Sequence, residues 1–246
     1  MRKKLTAEFS YKDAAYDVAA IKRKFWRSKG ENAVKALKKN GFDAYYAEDC
    51  EAAAVLLLSL IPEGALIGLG DSHTVYALDL EAGLSEKGCQ VIPNVAALNL
   101  HGYNSTAEYG YIKAPSREEA RQLLADYLTS DVFLLGANAV TMKGEIINVD
   151  GVGNRIAGSL YGADRIVIVA GVNKLVPDEK AGRERIQFIA APMNNIKYGD
   201  TCPCVQTGVC HGCALPERIC NITTVMHKKP IESDFHVIIV GEELGF

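Results

Sequence analysis

The chain has 246 residues, of which 48% are hydrophobic and 23% charged, and its formal net charge is −3. This composition is too apolar for a disordered chain, and the 22 glycines follow no collagen-like period. The slightly acidic balance argues against nucleic acid as the main partner. No apolar run is long enough for a membrane span and no signal peptide follows the basic start Met1–Lys4, so we expect a cytoplasmic protein.

Residues 1–40 are predicted to form an N-terminal helical arm. They hold 12 of the 27 Lys and Arg residues and only four acidic residues. Apolar residues recur at three- and four-residue steps between Lys12 and Asn40, which indicates one or two helices. A basic amphipathic arm would bind a partner protein, RNA or a membrane surface, whereas the simpler interpretation is a helix with a solvated charged face.

The rest of the chain, residues 41–246, is predicted to form one domain in which strands alternate with helices. The predicted strands are Phe42–Ala47, Ala65–Gly70, Val91–Pro93, Val132–Gly136, Ile146–Val149, Arg165–Ala170 and His236–Val240. The predicted helices are Asp49–Leu60, Asp71–Gly83, Ser116–Thr129, Asn154–Leu160 and Asp178–Ile189. This alternation predicts an α/β fold with a mostly parallel sheet and helices on both faces.

Four turns rich in glycine and polar residues follow predicted strands, where open α/β sheets bind their ligands. They are the first turn (Gly68–Thr74), the second turn (Gly136–Thr141), the third turn (Asp150–Arg155) and the fourth turn (Gly171–Lys174). Their glycines would let the backbone approach a ligand, and their amides, hydroxyls and cations suit a small anion. The alternative is that they only form turns and cap helices.

We expect the four turns to meet at one end of the sheet and bind a small anionic ligand. The candidate ligand-binding residues are Gly68, Gly70, Asp71, Ser72, His73, Thr74, Asn138, Thr141, Gly151, Gly153, Asn154, Arg155 and Asn173. The candidate catalytic residues are Lys174, as a charge partner, and Asp150, as a general base or orienting group. None of the turns matches the dinucleotide fingerprint or the phosphate-binding loop of nucleotide hydrolases.

A cysteine-rich insert occupies residues 200–220. Five of the seven cysteines lie in it, namely Cys202, Cys204, Cys210, Cys213 and Cys220. Clustered thiolates bind zinc or an iron–sulfur cluster, and a reducing cytosol disfavours disulfides. The spacing matches neither a ferredoxin run nor a zinc finger, so the metal's identity stays open, and redox-active or unliganded thiols are the alternatives.

The sequence resembles the LUD-domain family, named for lactate utilization. The resemblance lies in Gly136–Thr141, Asn148–Arg155, Ile166–Lys174 and Ala191–Asn194, and the motifs Thr207–Cys213 and Pro216–Cys220 resemble a cysteine-bearing subgroup of small, stand-alone members. It implies a fold similar to that of ribose-5-phosphate isomerase and the coenzyme A transferases.

The resemblance also implies a role beside iron–sulfur oxidoreductase partners in the oxidation of lactate or another 2-hydroxy acid. The long iron–sulfur domain of one fused member is absent from this sequence, so the chain would act as a subunit or accessory. Two alternatives stay open: a non-catalytic ligand sensor or assembly factor with a structural metal, and a sugar-phosphate isomerase or acyl transferase suggested by fold analogy. A homo-oligomer is also open.

Overall fold

The computed structural model describes residues 16–92 and 116–246. Its strands are β1 (Asp43–Ala47), β2 (Leu66–Leu69), β3 (Gln90–Ile92), β4 (Val132–Gly136), β5 (Ala139–Thr141), β6 (Ile146–Asp150), β7 (Arg165–Gly171), β8 (Leu175–Val176), β9 (Ile222–Met226) and β10 (Asp234–Val240). Its helices are α1 (Val18–Lys39), α2 (Cys50–Leu60), α3 (His73–Tyr76), α4 (Glu81–Glu86), α5 (Arg117–Leu128), α6 (Asn154–Leu160), α7 (Glu179–Arg185), α8 (Ala191–Tyr198) and α9 (Pro203–Thr207).

The main sheet confirms the predicted fold class. It has six parallel strands in the order β1-β10-β7-β4-β2-β3. Alternate residues of each strand face opposite sides, as the pleat requires. On one side Phe133 and Leu135 of β4 pack with α1, α5 and α6, and on the other side Val132 and Leu134 pack with α2, α3 and α4. Burial of both faces explains why the central strands are continuously apolar.

A second, smaller sheet was not predicted. Its strands lie in the order β8-β5-β6-β9, and β6 runs antiparallel to both of its neighbours. The second turn was expected to be a loop, but Ala139–Thr141 within it forms β5. Strands of two or three residues such as β5 and β8 are too short to show a period in the sequence, and their pairing depends on distant partners.

Three predicted helices differ from the structure in their extent. The predicted arm is one helix, α1, from Val18 onward, and its C-terminal half packs into the main core through Ala33, Val34 and Leu37; residues before Tyr16 lie outside the described part. The predicted Asp71–Gly83 helix is interrupted by Asp79, which adopts a positive φ of 48°.

The predicted Asp178–Ile189 helix extends further than expected. From α7 it continues through a wider π-helical segment, Ile186–Ala190, into α8, which ends at Tyr198. Pro192 is the second residue of α8, which follows directly after the π-helical segment. This extension places α8 at the carboxyl edge of the sheet. No helix in residues 16–92 or 116–246 is both long and apolar enough to cross a bilayer.

Candidate functional site

The site lies at the carboxyl edge of three neighbouring strands of the main sheet. The first, second and fourth turns follow β2, β4 and β7, which lie side by side and run parallel, so all three turns emerge at the same edge. The third turn joins them through Arg155, at the start of α6. The four turns therefore contribute to one pocket.

The enclosed space of the pocket is about 30 Å³, and about 300 Å³ when the open solvent at its mouth is counted. It is lined by Asp71, Ser72, His73, Thr74, Gly136, Ala137, Asn138, Arg155, Lys174, Asn194, Gly245 and Phe246. Two glycines permit its close packing. A Cβ on Gly70 would lie 3.1 Å from Cγ of Arg155, and one on Gly136 would lie 2.5 Å from Oγ of Ser72.

Lys174 is the most buried cation of the pocket, with only 3% of its surface exposed. Its Nζ donates to Oγ1 of Thr74 and to the main-chain oxygen of Phe246, each at 3.1 Å. Burial, together with the positive charges of Arg185 and Arg155, lowers the pKa of Lys174 to about 7. The amine is therefore partly neutral near neutral pH, which is unusual for a lysine.

Arg155 is held by oxygen atoms of the protein and not by a carboxylate. Its Nη2 donates to Oδ1 of Asn138 at 2.9 Å and to the carbonyl of Val149 at 2.6 Å. Oδ1 of Asn138 also accepts from the N–H of Val149, which fixes the amide orientation. No hydrogen bond to the described residues uses Nε or Nη1 of Arg155, so donors remain for a ligand.

An acidic residue at the rim of the pocket is already neutralised. Oδ2 of Asp71 accepts hydrogen bonds from Lys197 and Tyr198 of α8. Burial alone would raise the pKa of Asp71, but these two hydrogen bonds lower it by more, and the pKa lies below its ordinary value. Burial and the charge of Lys197 also lower the pKa of His73, which therefore favours its neutral form.

The C-terminal residues close one side of the pocket. Oδ1 of Asn173 accepts from the N–H of Leu244, and its Nδ2 donates to the carbonyl of Gly245 at 3.2 Å. The ring of Phe246 lies 5.1 Å from the ring of His73. Asn173, a predicted ligand-binding residue, thus positions this segment and does not line the pocket itself.

The proposed general base, Asp150, lies outside the pocket lining. Its two carboxylate oxygens accept the backbone N–H groups of Val152 and Ile156, at 3.1 and 3.0 Å, and so cap the start of α6. The geometry corrects the expected position of Asp150, because a carboxylate that holds a helix terminus does not face the ligand space.

Six other predicted ligand-binding residues also lie outside the pocket lining: Gly68, Gly70, Thr141, Gly151, Gly153 and Asn154. Gly68 is part of β2 and packs against Phe133, and Thr141 hydrogen bonds with Glu145 in the β5–β6 connection. The turns that carry these residues contribute to the pocket through other residues.

Sequence reasoning missed two polar residues of the site. Arg185 of α7 is 8% exposed and donates to the carbonyl oxygens of Asn138 and Asn173, so it buttresses two turns at once. Burial lowers its pKa to about 10. Asn194 of α8 lines the pocket directly. Asn194 belongs to the Ala191–Asn194 motif, which was a signal for it, whereas no local pattern marked Arg185.

The cysteine-rich insert lies against the other side of α8. Nδ2 of Asn195, the residue after Asn194, donates to Sγ of Cys204 at 3.3 Å. The N–H of Gly212 donates to Sγ of Cys210, and Arg218 donates to Sγ of Cys220 at 3.2 Å. One helix thus separates the pocket from the insert.

The two buried thiols of the insert, those of Cys202 and Cys204, favour their protonated forms. Burial, with a hydrogen bond to Cys213, raises the pKa of Cys202 to about 11. Burial also raises the pKa of Cys204. Among the described residues, the one group of three metal-type donors within 4.8 Å of one another is Asp43, Asp234 and His236, at the opposite edge of the sheet. No three sulfurs of the insert are that close.

The chain is an α/β protein that has a parallel sheet with helices on both faces and a cationic pocket at the carboxyl edge of that sheet. Comparison with known proteins then gives the family. A family model described as the LUD domain matches residues 30–240, and the chain belongs to the LUD-domain family. No curated protein matches the chain. Among solved structures, a DUF162 family protein from Deinococcus radiodurans is similar at 13% identity and a TM-score of 0.46, covering 89% of this chain and 98% of that one.

Proposed function

We propose that this protein binds a small carboxylate in the pocket and serves as a subunit or accessory of a 2-hydroxy-acid oxidation system, with lactate as the simplest substrate. One observation carries the proposal. Arg155 and Lys174 line the pocket, Arg185 lies close enough to Lys174 to lower its pKa, and among the described residues no Asp or Glu side chain forms an ion pair with any of the three. Buried cations without a carboxylate side chain beside them are costly to stability, so a ligand that supplies negative charge explains their presence.

The rest of the pocket supports a small, polar anion. Asn138 and Asn194 offer amide groups, and Ser72 offers a hydroxyl. Asp71 would repel a carboxylate, but its charge is already compensated by Lys197. A pocket with about 30 Å³ of enclosed space suits a ligand of a few atoms rather than a nucleotide.

The cysteine-rich insert fits an iron–sulfur cluster better than a single zinc ion. Tetrahedral zinc holds its sulfur ligands about 2.3 Å away, which requires sulfurs closer together than those of the insert. A four-iron cluster would take each cysteine on a different iron atom and so tolerate wider spacing, and N–H donors to the sulfurs would tune its potential. Cys202, Cys204, Cys210, Cys213 and Cys220 are the residues that would hold it.

Unpaired buried polar atoms lie beside the same cysteines. Buried side-chain atoms without a hydrogen-bond partner among the described residues include Oδ1 of Asn195, Oδ2 of Asp200 and Nε of Arg218. Only Nε of Arg218 is a donor, and the sulfurs of a cluster, which accept hydrogen bonds, would satisfy it. A bound cluster would supply one-electron redox chemistry one helix away from the pocket. This arrangement supports a redox role over a purely structural metal.

The test is ligand binding and metal content in anaerobically purified protein. Titration calorimetry with L-lactate and pyruvate should show binding to the wild type, and Arg155→Gln should weaken it about tenfold to hundredfold because a charged hydrogen bond is lost. Arg183→Gln, which removes an exposed ion pair with Glu179, is the matched control. Unchanged affinity in Arg155→Gln would refute the pocket assignment.

The same sample tests the insert. Elemental analysis should find iron, and the protein should be brown. A colourless protein with zinc would favour the structural-metal alternative, and a protein with neither, in which all five thiols titrate freely, would refute a metal site.

A further inference from the structure

The amino edge of the main sheet, opposite the pocket, carries three side chains with oxygen or nitrogen donors. Asp43 begins β1, Asp234 begins β10, and Asp43 is in register with His236 of β10. Residues in register on neighbouring parallel strands, and residues two apart on one strand, point to the same face of a sheet. The three side chains therefore project together, and their donor atoms lie within 4.8 Å of one another.

His236 is buried, and one of its ring nitrogens has no hydrogen bond. The residue is only 7% exposed. Its Nδ1 lies 3.3 Å from the hydroxyl of Tyr45, whose ring stacks on the imidazole. Its Nε2 lies 2.8 Å from Oδ1 of Asp234 but forms no hydrogen bond with any described residue, so this close approach lacks the direction of a hydrogen bond. A cation between the nitrogen and the oxygen would satisfy both atoms.

Neighbouring groups hold the two buried donors in place. Nε of Arg165 donates to Oδ2 of Asp234 at 2.6 Å, and its Nη1 donates to the carbonyl of Leu60 at the end of α2. Oδ1 of Asp234 therefore remains for an ion. If Nδ1 of His236 donates its proton to the Tyr45 oxygen, the lone pair of Nε2 is free to bind a metal. Metal-binding histidines hold their second nitrogen in this way.

The charge and the distances suit a divalent cation. Asp43, Asp234 and Arg165 together carry one net negative charge when the imidazole is neutral. Bonds of about 2.0–2.2 Å place neighbouring ligand atoms about 3 Å apart, which is close to the 2.8 Å between Nε2 of His236 and Oδ1 of Asp234. Asp43 is exposed, and its carboxylate forms no hydrogen bond with the described residues, so it is free to complete the set.

We propose that Asp43, Asp234 and His236 bind a divalent ion of the first transition row, such as Mn²⁺ or Zn²⁺. An imidazole beside two carboxylates favours these ions over Mg²⁺ and Ca²⁺, which take oxygen ligands. Three protein ligands leave further positions for water. The ion would join β1, which is an edge strand, to β10. This site is separate from the carboxylate pocket and does not depend on its proposed function.

The experiment uses Mn²⁺ as the probe, because the thiolates of the cysteine-rich insert bind Zn²⁺ well and Mn²⁺ poorly. Electron paramagnetic resonance of free Mn²⁺ during a titration of the full chain should show that one ion is bound per chain. Electron spin echo spectroscopy should detect one imidazole nitrogen coupled to the bound ion. About a tenfold excess of Mg²⁺ should not displace it, because Mg²⁺ binds imidazole poorly.

Three variants locate the ion. Asp43→Asn should weaken Mn²⁺ binding by at least about tenfold, and it should fold because Asp43 is exposed. His236→Gln should abolish the nitrogen coupling. Asp164→Asn, which changes an exposed carboxylate at the same edge of the sheet, is the matched control and should bind Mn²⁺ as the wild type does. The comparison of Asp43→Asn with Asp164→Asn remains decisive if His236→Gln does not fold.

Several results would overturn the metal site. They are no bound ion at up to about 1 mM Mn²⁺, the affinity of the weakest calcium sites in proteins, equal binding by Asp43→Asn and the wild type, binding without a nitrogen coupling, and displacement by Mg²⁺. His236 would then be an ion-pair partner of Asp234 when it is protonated. None of these results would affect the carboxylate pocket.

Discussion

Replacing Lys174 with methionine should stabilise the protein at neutral and acidic pH. Burial lowers the pKa of this lysine from 10.5 to about 7, and each pKa unit corresponds to about 1.4 kcal/mol. The charged lysine therefore costs the folded chain about 5 kcal/mol at low pH. Methionine removes that cost but also two hydrogen bonds, to Thr74 and Phe246, worth about 1 kcal/mol each.

The net gain should be about 2–3 kcal/mol below pH 7, or about 5–10 °C in Tm for a chain of this size. The sign of this change in stability depends on pH. Between the folded and unfolded pKa values the unfolded chain binds a proton that the folded chain does not, so wild-type stability rises with pH. The advantage of methionine at position 174 should shrink accordingly and reverse at about pH 9.

Urea denaturation of the wild type and of Lys174→Met at about pH 6, 7.5 and 9 measures the difference in their stability directly. Lys87→Met is the control, because Lys87 lies in a surface ion pair with Glu63 and should change stability by less than about 1 kcal/mol without a reversal. If Lys174→Met destabilised the protein at pH 6, or if its effect were the same at every pH, the buried-cation reasoning would be wrong.

Three further predictions concern single residues. Asp150→Ala should lower the free energy of unfolding, measured by urea denaturation, by about 1 kcal/mol because the cap of α6 is lost. The affinity for lactate should not change, and a large loss of affinity would restore Asp150 as a ligand-binding group. Gly144→Ala should cost more than about 2 kcal/mol in the same assay, because Gly144 has a φ of 81° and its Cβ would lie 2.4 Å from the backbone of Ala36. Asp71→Asn should destabilise the protein at pH 7, and the loss of stability should become smaller as the pH falls through the lowered pKa of Asp71. A loss of stability that is the same at every pH would contradict the pairing of Asp71 with Lys197.

Much of the fold could be predicted because it depends on neighbours in the chain. The caps of α2, α5 and α7 are side chains of Asp49, Ser116 and Asp178, each bonded to an N–H three residues on. The central strands are recognisable because both faces of the sheet are covered and β4, β7 and β10 are apolar except near the starts of β7 and β10, at Arg165, Asp234 and His236. The second sheet could not be predicted, since β5 and β8 are stabilised by pairing with each other.

The candidate site was predictable in its location and less so in its members. Strand-end turns in a parallel sheet must emerge at one edge, which brought Ser72, Asn138 and Lys174 together as expected. Which side chain of a turn faces the pocket depends on the helix that follows it. Asp150 and Arg155 lie in the same turn, yet one caps α6 and the other lines the pocket.

The sequence by itself determined the alternation of strands and helices, the four polar turns and the clustering of cysteines, because each is a pattern of residue types along the chain. Only the tertiary structure decided the chemistry of Lys174. Its lowered pKa requires burial and the charges of Arg155 and Arg185, which come from separate elements and approach it only when the sheet and its helices are assembled. Desolvation and Coulomb interactions depend on distance in space, and no separation along the chain reports that distance.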